Sequence, residues 1–94
     1  MTVRSYIRVF WHHSNPDEPV GLWSELDQER FEVRKIEIWA DGRVGYADQD
    51  REVGETRLGQ APLPPVTDIE ANPEFEPHEV TVTEFERRWR DSVA

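Results

Sequence analysis

The chain contains no cysteine, one methionine and, among its 94 residues, a single lysine against ten arginines. Without thiols it has no disulfide framework, no thiolate ligand for zinc and no cysteine nucleophile, which fits a reducing compartment. Apolar runs are a few residues long, far short of the roughly 20 that a membrane helix needs. Glycine-rich phosphate loops, serine elbows and the HxH or HExxH spacings of zinc sites are absent too. Met1-Thr2-Val3-Arg4 leads straight into strand-like sequence with no basic, apolar and small-residue leader pattern, so the expectation is a cytoplasmic protein. The length predicts one domain over residues 1–94, able to bury about 60 to 65% of its extended surface without staples.

What is abundant is acid. The formal net charge is -9. It is unevenly placed: residues 1–47 hold six basic against eight acidic side chains, and residues 48–94 hold five against twelve. From Asp68 through Glu70, Glu74, Glu76, Glu79, Glu84 and Glu86 no basic residue intervenes, until Arg87, Arg88 and Arg90 close the block. Such a field repels nucleic acid and anionic lipid and speeds association with basic partners.

Alternation marks the strands. Val3, Ile7, Val9 and Trp11 share one parity and Tyr6, Arg8, Phe10 and His12 the other, which predicts a first strand with one strongly apolar face. Two prolines and the Ser, Asn and Asp of residues 14–19 end it. A second run covers Val20 to Leu26, and a short polar link over residues 27–30 makes it an antiparallel neighbour of the ribbon that follows.

That ribbon, Phe31 to Ala47, centres on Asp41-Gly42, a dipeptide suited to the positive φ of a tight hairpin turn. A two-residue loop there pairs Trp39 with Val44, Ile38 with Gly45 and Ile36 with Ala47. Ile36, Ile38, Gly45 and Ala47 then share one face, and Trp39, Val44 and Tyr46 share the other, with Phe31 and Val33 if no bulge intervenes. Residues 48–55 read as a charged loop, Thr56-Arg57-Leu58 as a brief edge strand, and residues 60–65 as an extended proline-rich crossover. Pro65 opens a short helical turn through Val66, Ile69 and Ala71, ended by Asn72-Pro73. Thr81 and Glu84 form a capping box with Val80 able to staple onto Phe85. The helix that follows carries Phe85, Trp89 and Val93 on one stripe.

The chemistry-bearing residues are few. His12 and His13, with Asp17 and Glu18 nearby, form the one cluster suited to a ligand or acid-base site, although adjacent histidines on a strand end point to opposite faces and no metal site is expected. Trp11 and Trp89 fall on core stripes. Trp23, Trp39 and Tyr46 are not forced inward, and exposed aromatics ringed by charge are typical interface anchors.

The set Tyr6-Ile7-Arg8-Val9, Trp11-His12-His13, Asp17-Glu18-Pro19-Val20, Ser24-Glu25-Leu26-Asp27, Glu32-Val33-Arg34-Lys35, Asp41-Gly42-Arg43, Gly45-Tyr46-Ala47 and Glu84-Phe85-Glu86 with Trp89 resembles a family of small bacterial proteins, frequent in actinobacteria, classed as a domain of unknown function. The resemblance spans nearly the whole chain and implies a stand-alone bacterial domain; it carries over no activity, cofactor or site residue. The arginine-rich, lysine-poor composition agrees with a GC-rich source.

Together these readings predict an α+β domain: an antiparallel sheet of four to five strands, one C-terminal helix across the Ile36/Ile38 face, and the proline-rich crossover. The function expected first is non-enzymatic protein binding, for example immunity-like inhibition of a basic partner, through Asp68, Glu70, Glu74, Glu76, Glu79, Trp23, Trp39 and Tyr46. The alternative is a small-ligand binder or simple hydrolase built on His12, His13, Asp17 and Glu18. Neither reading needs a cofactor.

Overall fold

The four runs that alternation marks as extended become the centre of a six-stranded antiparallel sheet in the computed structural model, which describes residues 3–94. Met1 and Thr2, where the leader reading begins, lie outside the described residues. The strands are β1 (Ser5–Trp11), β2 (Gly21–Leu26), β3 (Glu32–Ile38), β4 (Val44–Ala47) and β5 (Glu52–Val53), followed by helix α1 (Val66–Glu70), β6 (Phe75–Glu79) and helix α2 (Val82–Val93). Their order across the sheet is β5-β4-β3-β2-β1-β6. Val3 precedes β1 and is exposed. No helix among the described residues is long and apolar enough to cross a membrane.

The central hairpin differs from the two-residue turn by one residue. Ile38 pairs with Val44, Ile36 with Tyr46 and Lys35 with Ala47. The Gly42 N–H donates to the Trp39 carbonyl and the Trp39 N–H to the Arg43 carbonyl, both at 2.9 Å, so Ala40-Asp41-Gly42 forms a three-residue loop with Gly42 at φ 92°. Asp41 prefers this geometry because its carboxylate accepts from the Arg43 N–H at 3.0 Å and from Arg43 Nε at 2.9 Å. A slip of one residue turns every side chain over. Val44 and Tyr46 therefore join Ile36 and Ile38, while Gly45 and Ala47 take the opposite face.

Each face has its own cover. On the helix side Trp23, Ile36 and Phe85 are buried together, flanked by Tyr6, Ile38, Val44, Tyr46, Val80 and Trp89. Helix α2 starts where the sequence says: the Glu84 N–H donates to Thr81 Oγ1 at 3.1 Å, and the Thr81 N–H to Glu84 Oε2 at 2.8 Å. On the opposite side Ile7, Val9 and Leu26 pack under Leu22, Leu63, Val66, Ile69 and Phe75. That cover is the proline-rich crossover and α1, while Leu22 of β2 and Phe75 of β6 belong to the sheet itself. Three connections differ from expectation, the first being residues 48–55, read as a loop but containing the two-residue strand β5 paired with β4. Thr56 is fully buried and lies in no strand, packing so closely on Gly45 that a Cβ there would sit 2.3 Å from its hydroxyl. The acidic stretch after Pro73 supplies β6, which pairs with β1 from Ile7↔Glu79 to Trp11↔Phe75.

Arg34 pins α2 to the sheet. Its guanidinium donates to Glu25 Oε1 at 2.5 Å, chelates the Glu86 carboxylate and lies 5.0 Å from the Phe85 ring centroid and 5.1 Å from that of Trp89. Burial opposes the arginine's charge, but the bonds to Glu86 and Glu25 outweigh it and hold its proton more tightly than usual. Tyr6 Oη donates to the other Glu25 oxygen at 3.2 Å. The Glu86 carboxyl is held below its ordinary value, chiefly by its hydrogen bond from Arg34.

Two outcomes follow. Phe85 is fully buried; Phe85→Ala should lower unfolding free energy by about 3 to 5 kcal/mol in a urea titration, and a variant as stable as the parent would refute this docking of α2. Because folding lowers the Glu86 pKa, its contribution is fully present above the ordinary value of 4.5 and is lost as pH falls through the folded value. Glu86→Gln should therefore show a shallower loss of stability below about pH 4.5 than the parent in melts across pH.

Candidate ligand-binding cavity

A bulge in β3 decides what lies beneath the crossover. Glu25 pairs with Arg34 but Leu26 pairs with Glu32, so Val33 is an extra residue without a partner in β2. Strict alternation would put Glu32 and Lys35, three residues apart, on opposite faces. The bulge puts them on the same one, while Arg34 keeps to the helix side. Lys35 is the cross-strand partner of Ser24, so Ser24, Glu32 and Lys35 form a polar group on the floor of the crossover face.

Ser24 and Glu32 are buried, Lys35 is half-buried, and the three are connected. Ser24 Oγ donates to Glu32 Oε2 at 2.9 Å, and the Gly59 N–H donates to Glu32 Oε1 at 2.6 Å. The Glu32 side chain is 4% exposed and that of Lys35 16%. Lys35 Nζ lies 3.5 Å from Glu32 Oε1 and 3.9 Å from Glu37 Oε2. Above this floor opens a cavity of about 550 Å³ walled by Val9, Leu22, Leu63, Ile69 and Phe75, with Asp68 and Asn72 also on its lining. An apolar concavity of this size with a few convergent polar groups is the usual form of a small-molecule site.

The wall is held by a strained residue. In the β2–β3 loop the Asp27 carboxylate accepts from the N–H groups of Glu29 and Phe31, both at 2.9 Å, and Arg30 takes φ 71°, a conformation that costs a non-glycine residue about 1 kcal/mol or more. This aims the Arg30 side chain at the crossover, where it donates to the carbonyls of Leu63 at 3.0 Å and Pro64 at 2.9 Å. The Leu63 N–H returns a bond to the Arg30 carbonyl at 2.9 Å. Leu63 is thereby fixed over the cavity.

The residues singled out from sequence lie elsewhere, with one exception. Asp68 lines the cavity. Trp23 and Trp39 are 8% and 5% exposed, and Tyr46 is half-buried with its ring 5.5 Å from that of Trp89, so these three belong to the interior and not to an exposed aromatic surface. α2 covers Trp23 and Tyr46; the Trp39 indole donates to the Asp17 carbonyl at 3.3 Å. Trp11, expected in the core, is half-exposed and packs on His13 and Phe75.

The histidine cluster also separates. His13 Nδ1 accepts from the Asn15 N–H at 3.0 Å, which leaves Nε2 to donate to the Pro19 carbonyl at 2.8 Å, so this ring closes its own loop. His12 reaches across to Glu76 at 3.1 Å, and His78 meets the other Glu76 oxygen at 2.6 Å. These bonds, from His78 first and then His12, hold the Glu76 carboxyl below its ordinary range. Asp17 and Glu18 remain exposed on the loop, and the four residues do not converge. Among the described residues no three His, Asp or Glu side chains are arranged to hold a metal. Of the other acids, Glu74 accepts from the Trp11 indole at 3.2 Å, while Glu70 and Glu79 are exposed.

Sequence reasoning missed Ser24, Glu32, Lys35, Leu63, Ile69 and Phe75 as a site. One signal was available, the placement of the only lysine three residues after a glutamate in an arginine-rich chain.

Fold and cavity define a small α+β protein with a two-faced antiparallel sheet and a ligand-sized cleft under its crossover. The chain belongs to the family described as Domain of unknown function (DUF6881), whose model matches residues 5–94. No curated protein and no solved structure matches it.

Ser24→Ala would leave Glu32 Oε2 without the buried donor it now has. The expected cost is about 1 to 3 kcal/mol in urea unfolding. A change below about 0.5 kcal/mol would show that water, not Ser24, supplies that bond.

Proposed function

We propose that this protein is a small-ligand-binding domain whose site is the cavity between the sheet and the proline-rich crossover. The observation that carries the reading is the group of buried Ser24 and Glu32 with half-buried Lys35 at the base of an apolar cleft of about 550 Å³. Burying an ionic group costs free energy that an apolar replacement would avoid, so its presence beneath a cleft argues for recognition more than for stability. The small-ligand class considered from sequence is retained, with the cleft under the crossover in place of the His12 and His13 loop.

Capture of a basic protein has weaker support. Glu76 is engaged by two histidines and Glu74 by Trp11. β6 is an edge strand carrying Pro77, which blunts strand addition. No step of catalysis is assigned, because Ser24 donates its proton to Glu32 and has no histidine beside it.

The test is a titration with hexan-1-ol as an uncharged apolar probe, followed through methyl and backbone amide resonances. Saturable shifts at Leu22, Leu63 and Ile69, abolished in Ile69→Trp, are the expected result. Shifts confined to the His12–Pro19 loop, or none at all, would overturn the assignment.

A further inference from the structure

We infer that the cavity selects ligands by charge: it takes an apolar molecule ending in an uncharged carbonyl, which Lys35 binds as donor, and it rejects the carboxylate of the same size. This rests on the ligand-binding reading above and adds the chemistry of the ligand's polar end.

The argument starts from the unequal saturation of the floor. Glu32 has a donor on each oxygen, Ser24 at 2.9 Å and Gly59 at 2.6 Å. Lys35 is different. Its two carboxylate neighbours stand at 3.5 and 3.9 Å, beyond the 2.7 to 2.9 Å usual for a charge-assisted bond, and an ammonium group carries three donors. The donor capacity on the cavity floor is therefore incompletely used. Ser24 has already committed its proton, so a ligand group that only accepts finds its partner at Lys35.

Charge then narrows the acceptor. Glu32 and Glu37 stand 3.5 and 3.9 Å from the one ammonium and Asp68 lines the same cleft, leaving an excess of negative charge around it. A carboxylate placed on Lys35 would meet Glu32 and Glu37 within a few ångströms. An amine, protonated at neutral pH, would bring a second cation against Lys35 and has no lone pair to accept from its N–H groups. A neutral carbonyl avoids both conflicts, accepts from the ammonium and leaves its hydrocarbon body to Leu22, Leu63, Ile69 and Phe75.

The only lysine of the chain makes the test direct, because labelling with ¹⁵N-lysine gives one backbone amide signal, that of Lys35. Octanamide, octanoate and octylamine, each with an eight-carbon chain, are titrated into the labelled protein at neutral pH. Octanamide should move the Lys35 signal saturably and bind about tenfold or more tighter than octanoate and octylamine. Glu37→Gln, which keeps the side chain's shape, should narrow the gap between amide and carboxylate. Octanoate or octylamine binding as tightly as octanamide to the parent would overturn the charge selection while leaving the cavity a binding site. If none of the three moves the Lys35 signal while hexan-1-ol still binds, the carbonyl assignment fails alone; if hexan-1-ol fails as well, both readings fall.

Discussion

The structure depends on one extra residue in β3. Val33 has no partner in β2, and this changes which side of the sheet Glu32 faces without disturbing Arg34 to Ile38. An antiparallel sheet covered on both sides must send each charged side chain either to a partner or to solvent, because an unpaired buried charge is far more costly than any single apolar contact is favourable. With the bulge, Arg34 reaches Glu25 and Glu86 on the helix side, and Glu32 reaches Ser24, Gly59 and Lys35 on the other. Without it, Glu32 and Arg34 would share the helix face.

The two faces are finished to different degrees. Over the helix face lies a twelve-residue amphipathic helix with a capping box, a fully buried Phe85 and an arginine held by two carboxylates. Over the other lies a five-residue helix with no buried residue, preceded by a proline-rich strip whose position depends on Arg30. A short helix stabilises little by itself. The thinner cover leaves room above the floor, and the strain at Arg30 is offset by the three hydrogen bonds that it makes possible with Leu63 and Pro64. Binding sites commonly lie where a rigid element faces a less stable one, since only the latter can yield to a ligand.

Much of the helix side was legible locally. A capping box, a hydrophobic staple and a stripe of Phe85 and Trp89 involve residues a few positions apart, so their meaning does not depend on the rest of the chain. The strands from Ser5 to Ala47 were legible for the same reason. The hairpin register was not, because Asp-Gly serves a two-residue loop and the last two positions of a three-residue loop equally well, and that single residue exchanged Val44 and Tyr46 for Gly45 and Ala47. β6 was masked by its own composition, since Phe-Glu-Pro-His-Glu has low strand propensity and forms a strand only because the edge of β1 was open to it.

By itself, then, the sequence determined the α+β class, the absence of thiol chemistry, the acidic surface and the start of α2, which rest on composition or on contacts within a turn or two of chain, and the family, which rests on motifs spread along nearly all of it. Tertiary structure alone decided that Trp23, Trp39 and Tyr46 are interior, that His12 and His13 part company, and that a serine, a glutamate and the one lysine meet under a crossover more than twenty residues away in sequence. The physical reason is common to all three. Which face a strand residue occupies is set by a register and a bulge, both of which are fixed by the packing of partners distant in the chain.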